Sequence, residues 1–337
     1  MASKERVTVN FFVTPERYPW HGALWSVLAR QFEQLPHALL LQGRPGLGKH
    51  DFAVQLAQAL LCEQSQEGTA CGKCHGCHLF NVGTHPDLSC VGLVEDARNI
   101  TVDQIRALGD FLSLRPHTAT RKVVIISPAD AMNLNAANSL LKLLEEPPLG
   151  SMLLLATSHP ARLPATIRSR CSRLLFRLPV PSVGQAWLQA RPEIRDPALL
   201  LDLAGGAPLL AESLARSEFP STRVKLLQDL ASLAQGREHA VACAARWKSL
   251  GTEQALGWLH GFVSDLLKVC MGAPASSLLN PEAVTHGETI KNKYKINELY
   301  SFIDAILEKY RQLNSPLDEL LMLEDILIRW VRLSRLQ

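Results

Sequence analysis

The stretch Leu39–Ala53, LLLQGRPGLGKHDFA, sets a short apolar run, a glycine loop ending in lysine, and the start of a helix-forming segment in that order. Within it Gly43–His50 satisfies the phosphate-cradling pattern G-x-x-x-x-G-K-[ST] at every fixed position except the last, where His50 replaces Ser or Thr. A buried strand feeding a glycine loop that opens a helix gives this pattern physical meaning. Backbone N–H groups around the glycines face the phosphates, the lysine pairs with the terminal ones, and the hydroxyl holds magnesium. Gly43, Gly46, Gly48 and Lys49 can supply that cradle. His50 cannot supply the last part, because magnesium is a hard cation that takes oxygen ligands in tight octahedral geometry. The loop therefore predicts the fold, holds ATP or ADP only weakly if at all, and puts hydrolysis in question.

Ala23, Leu24, Val27, Leu28 and Phe32 recur at helical spacing upstream, and HALLLQ reads as the strand. Downstream come the helix HDFAVQLAQALL, a cysteine-rich insert and a strand around DLSCVGLV. Thr101 and Gln104 then form a capping box that opens VDQIRALGDFLSL. RKVVIIS is a buried strand by length and β-branching, NAANSLLKLLEE is a helix stopped by Pro147 and Pro148, and SMLLLATS is a further strand. Strands alternating with helices argue for a parallel sheet covered on both faces. After about Pro179 the β signals fade and only helices follow, punctuated at Pro181, Pro197, Gly205, Gly206 and Pro220. The expectation is an α/β P-loop domain over 1–179, a small helical domain over 180–219 and a larger all-helical one over 220–337. Ser315 as cap, Pro316 at the first position and Asp318 mark the start of the last helix, and ASSLLNPEAVTHGE reads as a flexible loop.

Thirty-five basic against 32 acidic residues among 337 leave a net charge of +3, so a nucleic-acid role would have to rest on a local patch. No apolar run approaches the roughly 20 residues needed to span a bilayer, and a cytoplasmic protein without membrane partners is expected. Four of the eight cysteines crowd into CEQSQEGTACGKCHGC. Cys62, Cys71, Cys74 and Cys77 have the two-residue gaps that let successive sulfurs turn toward one ion, which points to a closed, structural zinc site rather than disulfides. His75 and His78 are read as exposed loop histidines.

Magnesium-dependent chemistry also needs carboxylates at the end of a neighbouring strand. KVVIISPADAMN offers Ser127 and Pro128 there, with Asp130 beyond, read as a cap for the next helix. Two magnesium positions are thus wrong in one chain, and a silent site follows. Arg162, Arg168, Arg170, Arg173 and Arg177 form an acid-free run that suits a solvated face or a phosphate-facing patch.

Taken together, GRPGLGK, the four-cysteine insert, THPDL, NSLLKLLEEPP, LLATS and the IRSRC of Ile167–Cys171 resemble the AAA+ clamp-loader family. GGAPLLA and LNSPLDELLMLEDILIRW are similar in kind, so the resemblance covers most of the chain. It implies a AAA+ domain with a zinc insert, a helical lid and a C-terminal helical collar. It further implies a subunit of the DNA polymerase III clamp loader, a hetero-pentamer of motor subunits and a delta subunit that opens a sliding clamp and closes it on primer-template DNA. In that family the arginine of the Ser-Arg-Cys motif, here Arg170, reaches in trans into a neighbour's ATP site. Motor subunits carry a hydroxyl at position 50, acids at 127 and 128, and an arginine where Pro208 stands; this chain lacks them all. Thr157 falls at the family's sensor threonine and is read as a strand cap. The expectation is a non-hydrolysing subunit of the polymerase holoenzyme; the alternative is an active AAA+ motor subunit that hydrolyses ATP.

Overall fold

The computed structural model describes residues 17–94, 97–217, 219–274, 278, 280, 296–313 and 317–335. Five strands form one parallel sheet: β1 (Ala38–Gly43), β2 (Leu88–Val91), β3 (Lys122–Ile126), β4 (Ser151–Thr157) and β5 (Ser172–Phe176), in the order β2-β3-β4-β1-β5. Register places Leu40 beside Leu155, Leu41 beside Leu174 and Val124 beside Leu153. β3 is buried along its whole length, as a parallel strand covered on both faces must be.

Alternation along the strands sorts the core into two layers. Leu39, Leu41, Val123, Ile125 and Leu154 face Phe52 and Leu56 of α2 (Lys49–Leu61), with α1 (Gly22–Ala29) adding Leu28. Leu40, Val124, Ile126, Leu153 and Leu155 pack against the other face's helices. These are α4 (Val102–Ser113) through Ile105 and Leu108, α5 (Leu134–Glu145) through Leu140 and Leu144, and α6 (Ala165–Arg170) through Ile167. Each fully buried Leu or Ile contributes about 1.5–3 kcal/mol of transfer free energy. The expected capping box is present: Thr101 accepts from the Gln104 N–H, and the Gln104 side chain takes the Thr101 N–H at 2.9 Å. The insert supplies one short helix, α3 (His75–Asn81), so the two exposed histidines lie on a helix rather than in a loop.

The chain packs as two compact units. One runs to Pro192 and takes in Ala204–Glu212; the other holds Glu193–Leu203 and the described residues from Ser213 on. Residues 180–219, expected as a lid, are thus shared between the two. They form α7 (Pro181–Gln189), α8 (Pro197–Leu203) and α9 (Pro208–Arg216). The second unit continues with α10 (Phe219–Ala234), α11 (Ala240–Ser249), α12 (Thr252–Cys270), α13 (Ile296–Gln312) and α14 (Glu319–Arg335) around Trp247, Phe262, Leu323 and Trp330. Two of its buried indoles are hydrogen-bonded: Trp330 Nε1 donates to the Leu230 carbonyl and Trp247 Nε1 to Asp229, both at 3.1 Å. Ser315 and Pro316 lie outside the described residues, while Asp318 accepts the Leu320 N–H at 2.8 Å near the start of α14. Of the expected loop only Leu278 and Asn280 are described, and both are buried; Asn280 is held by the fully buried Asp265 carboxylate at 2.7 Å.

Candidate functional site

Strand β1 delivers the glycine loop to the carboxyl edge of the sheet, between β4 and β5, where parallel sheets place their ligands. Gly46 and Gly48 sit at φ +75° and +74°, a conformation only glycine adopts without strain. Gly48 is the N-cap of α2, so the loop's N–H groups and the helix N-terminus form an anion-binding nest. Gly46, Gly48, Lys49 and His50 line a cleft of about 240 Å³ with Ser127, Pro128 and Ser158. Three expected cradle residues are therefore together in one cleft, and Gly43 ends the strand beneath them.

The cleft's chemistry is that of a cradle turned on itself. Lys49 is 7% exposed and its Nζ donates to the Arg44 carbonyl at 2.7 Å. Burial pulls its pKa down to about 8, with the Asp130 charge partly opposing. Burial likewise lowers His50, so its imidazole is neutral at pH 7 and offers no oxygen to a hard cation. At the tip of β3 stand Ser127 and Pro128, without a carboxylate at either position.

Asp130 does not cap α5. Asn133 does, accepting the Ala136 N–H at 2.8 Å. Asp130 instead receives Thr157 Oγ1 at 2.6 Å and the Ser158 N–H at 3.1 Å, with His159 Nδ1 at 3.2 Å. Burial raises this carboxyl, and the bonds from Thr157, His159 and Ser158 outweigh it, leaving it below the usual carboxylate range. Thr157, at the end of β4, is thus committed to Asp130. Nothing in the local pattern ADAMN signalled this, because the partners lie 27 to 29 residues away.

The loop's outer side is packed by residues that sequence reasoning assigned no role. Tyr18 donates to Asp51 at 2.8 Å, Trp20 Nε1 to the Leu47 carbonyl at 3.1 Å, and His21 Nε2 lies 2.7 Å from the same oxygen. A Cβ on Gly48 would stand 2.5 Å from the Tyr18 ring. From the GGAPLLA segment, the Leu209 N–H donates to the Gly46 carbonyl at 3.1 Å, so this segment is bonded directly to the glycine loop.

The cysteine insert closes on itself as its spacing predicted. The sulfurs of Cys62, Cys71, Cys74 and Cys77 all lie within 4.8 Å of one another, with Cys62 and Cys74 at 3.8 Å. A tetrahedron of about 2.3 Å metal–sulfur bonds has an edge of about 3.8 Å, so the donor set fits zinc. Backbone N–H groups of Gln64 and Cys71 point at the Cys62 sulfur, and those of Cys74 and Cys77 at Cys71 and Cys74, at 3.3–3.4 Å. Such N–H···S contacts favour thiolate over thiol, and the amides of Lys73 and Cys74 hold Cys71 at about 6, whereas burial outweighs them at Cys62 and Cys77 and raises both thiols.

Arg170 is not part of the cleft. It ends α6 on the surface, where one terminal nitrogen donates to the Thr166 carbonyl at 3.0 Å and the other meets Glu145 at 2.7 Å. Arg162, Arg173 and Arg177 are exposed, and Arg168 is half-buried. β5 runs through this arginine stretch, a strand the sequence analysis did not predict.

A family model described as DNA polymerase III, delta subunit, matches residues 20–179, and one described as DNA polymerase III, delta subunit, C terminal, matches residues 217–332. Subunit delta' of DNA polymerase III from Pseudomonas aeruginosa is 34% identical over 321 residues, covering 94% of this chain and 98% of that protein. The chain belongs to the DNA polymerase III delta' subunit family. The Escherichia coli K12 delta' subunit agrees at 32% identity over 93% of this chain and 94% of its own length. A DNA polymerase III gamma-subunit-related protein from Thermotoga maritima aligns with a TM-score of 0.46 at 21% identity, over 92% of this chain and 99% of that one. A parallel-sheet region carrying the P-loop, followed by helices, is the order of elements that the motifs implied.

Proposed function

We propose that this delta'-family chain is a clamp-loader subunit that does not hydrolyse ATP itself and lends Arg170 to the ATP site of a neighbouring motor subunit. The observation that carries the first part is the state of the cleft: a cradle with both left-handed glycines in place, yet with Lys49 bonded to the Arg44 carbonyl and Ser127 and Pro128 where metal-holding acids belong. The second part rests on an exposed guanidinium at the end of a short helix, placed by the Ser-Arg-Cys motif. An arginine supplied in trans stabilises charge that develops on the transferred phosphoryl group.

In this reading zinc staples the insert between α2 and β2 and does no chemistry, since four thiolates leave no open position. The helices beyond 219 form the collar that joins motor and delta subunits in a hetero-pentamer, and the assembly acts on the sliding clamp and primer-template DNA. The lid, drawn over 180–219, stays part of the proposal.

Two measurements test it. The purified chain should show no magnesium-dependent ATP turnover, and turnover that disappears in Lys49→Ala would overturn the reading in favour of a motor subunit. In the reconstituted complex Arg170→Ala should lower ATP turnover by about 10³-fold at the one site it serves, the low end for an arginine finger. Unchanged turnover would remove the trans role.

A further inference from the structure

Among the five arginines of the acid-free run, Arg170 alone is ion-paired in the described residues, and Arg162, Arg173 and Arg177 are exposed. The pairing is built from two fixed points. Glu145 is the last residue of α5, directly after the buried Leu144, and Arg170 is the last residue of α6, three residues after the fully buried Ile167. Leu144 and Ile167 belong to the same apolar layer, so both backbones are anchored while both side chains reach the surface. Glu145 Oε1 takes one terminal nitrogen of Arg170 at 2.7 Å, and the Thr166 carbonyl takes the other at 3.0 Å.

An exposed ion pair adds little to folding stability. Its consequence here is conformational. A surface arginine samples many rotamers, and ordering it is an entropic cost that falls on whatever step needs the cation in one place. A backbone carbonyl, and a carboxylate whose backbone is anchored beside the buried Leu144, hold the plane of the guanidinium before any phosphate arrives. Glu145 uses a single oxygen, so the fork keeps further N–H groups for an anion.

We propose that Glu145 is a positioning residue that pre-orders Arg170 for the neighbouring subunit's ATP site. This rests on the trans role assigned to Arg170 above. Because the contact is a hydrogen bond to a side-chain oxygen, Glu145→Gln, which keeps an oxygen acceptor, preserves most of the effect. Glu145→Ala removes it.

The test uses the reconstituted complex with DNA, with kcat and KM for ATP measured for wild type, Glu145→Ala, Glu145→Gln, Arg170→Ala and the Glu145→Ala/Arg170→Ala double variant. Glu145→Ala is expected to lower kcat at the served site about 3- to 10-fold, the scale of one released side chain, with KM and the melting temperature unchanged. Glu145→Gln should stay near wild type, and Glu145→Ala should change nothing in the Arg170→Ala background. Wild-type or raised turnover in Glu145→Ala, or effects that multiply in the double variant, would overturn the proposal while leaving the trans role standing. Full turnover in Arg170→Ala alone would overturn both.

Discussion

Lys49 is the residue in which the cradle's present state can be read by titration. Its folded pKa is about 8, against 10.5 for an unperturbed lysine, because burial penalises the ammonium more than the nearby Asp130 favours it. Between those two values the unfolded chain binds a proton that the folded chain does not, so stability rises with pH across that window. In denaturant titrations at pH 8 and pH 10.5, wild type is expected to gain stability relative to Lys49→Met. Other groups cancel in the difference, and parallel pH curves for the two proteins would contradict the buried-ammonium account. Asp87 lies outside the cleft, against the backbone of residues 117–119. It is fully buried and accepts the N–H groups of His117, Thr118 and Ala119 at 2.7–2.9 Å, clipping the loop before β3. Burial raises its pKa and those bonds more than offset this, leaving the net shift downward. Asp87→Ala strands these donors and should lower stability by roughly 2–4 kcal/mol, measured by chemical denaturation.

At the scale of elements, the chain's legibility followed how local each signal is. Four cysteines at fixed spacing make a closed cluster through backbone turns within 16 residues, so the insert could be read from letters alone. The glycine loop was legible for the same reason. β5 was not: it is an edge strand paired only with β1, with Ser172, Arg173 and Leu175 exposed and only Leu174 and Phe176 turned inward, so its arginines masked a five-residue alternation. The partners of Asp130 and the Glu145 partner of Arg170 were hidden because they come from other elements, and only the sheet and its flanking helices bring them near. The insert carries its own prediction. Cys74→Ser replaces a sulfur that is buried in the cluster and also caps α3 by accepting the Cys77 N–H. Elemental analysis should find the proposed zinc gone, and limited proteolysis should cut between 62 and 77 where wild type resists. An unaltered metal content would remove Cys74 from the ligand set.

For the whole molecule, the order of strands and helices was readable because buried parallel strands and amphipathic helices have different periods. The division near 180–219 was harder to read. Its helices are short, 9, 7 and 9 residues, and no change in composition marks where the packing partner changes. What distinguishes Ala204–Glu212 is contact with the glycine loop, through Leu209 on Gly46 and the Arg44 guanidinium on the Gly205 carbonyl at 3.1 Å. The helices from α10 onward have their own core of Trp247, Leu256, Phe262, Leu323 and Trp330, which shares no residue with the two layers around the sheet. A chain ending after Arg216 therefore keeps the sheet's entire core and the cysteine cluster. It should unfold cooperatively and retain the proposed zinc, as followed by circular dichroism and elemental analysis. It should nevertheless fail to join motor and delta subunits in size-exclusion chromatography, because the proposed collar is gone. A truncated chain that is folded by both measures and still co-elutes with the pentamer would move the assembly surface from the C-terminal helices to the sheet-bearing unit.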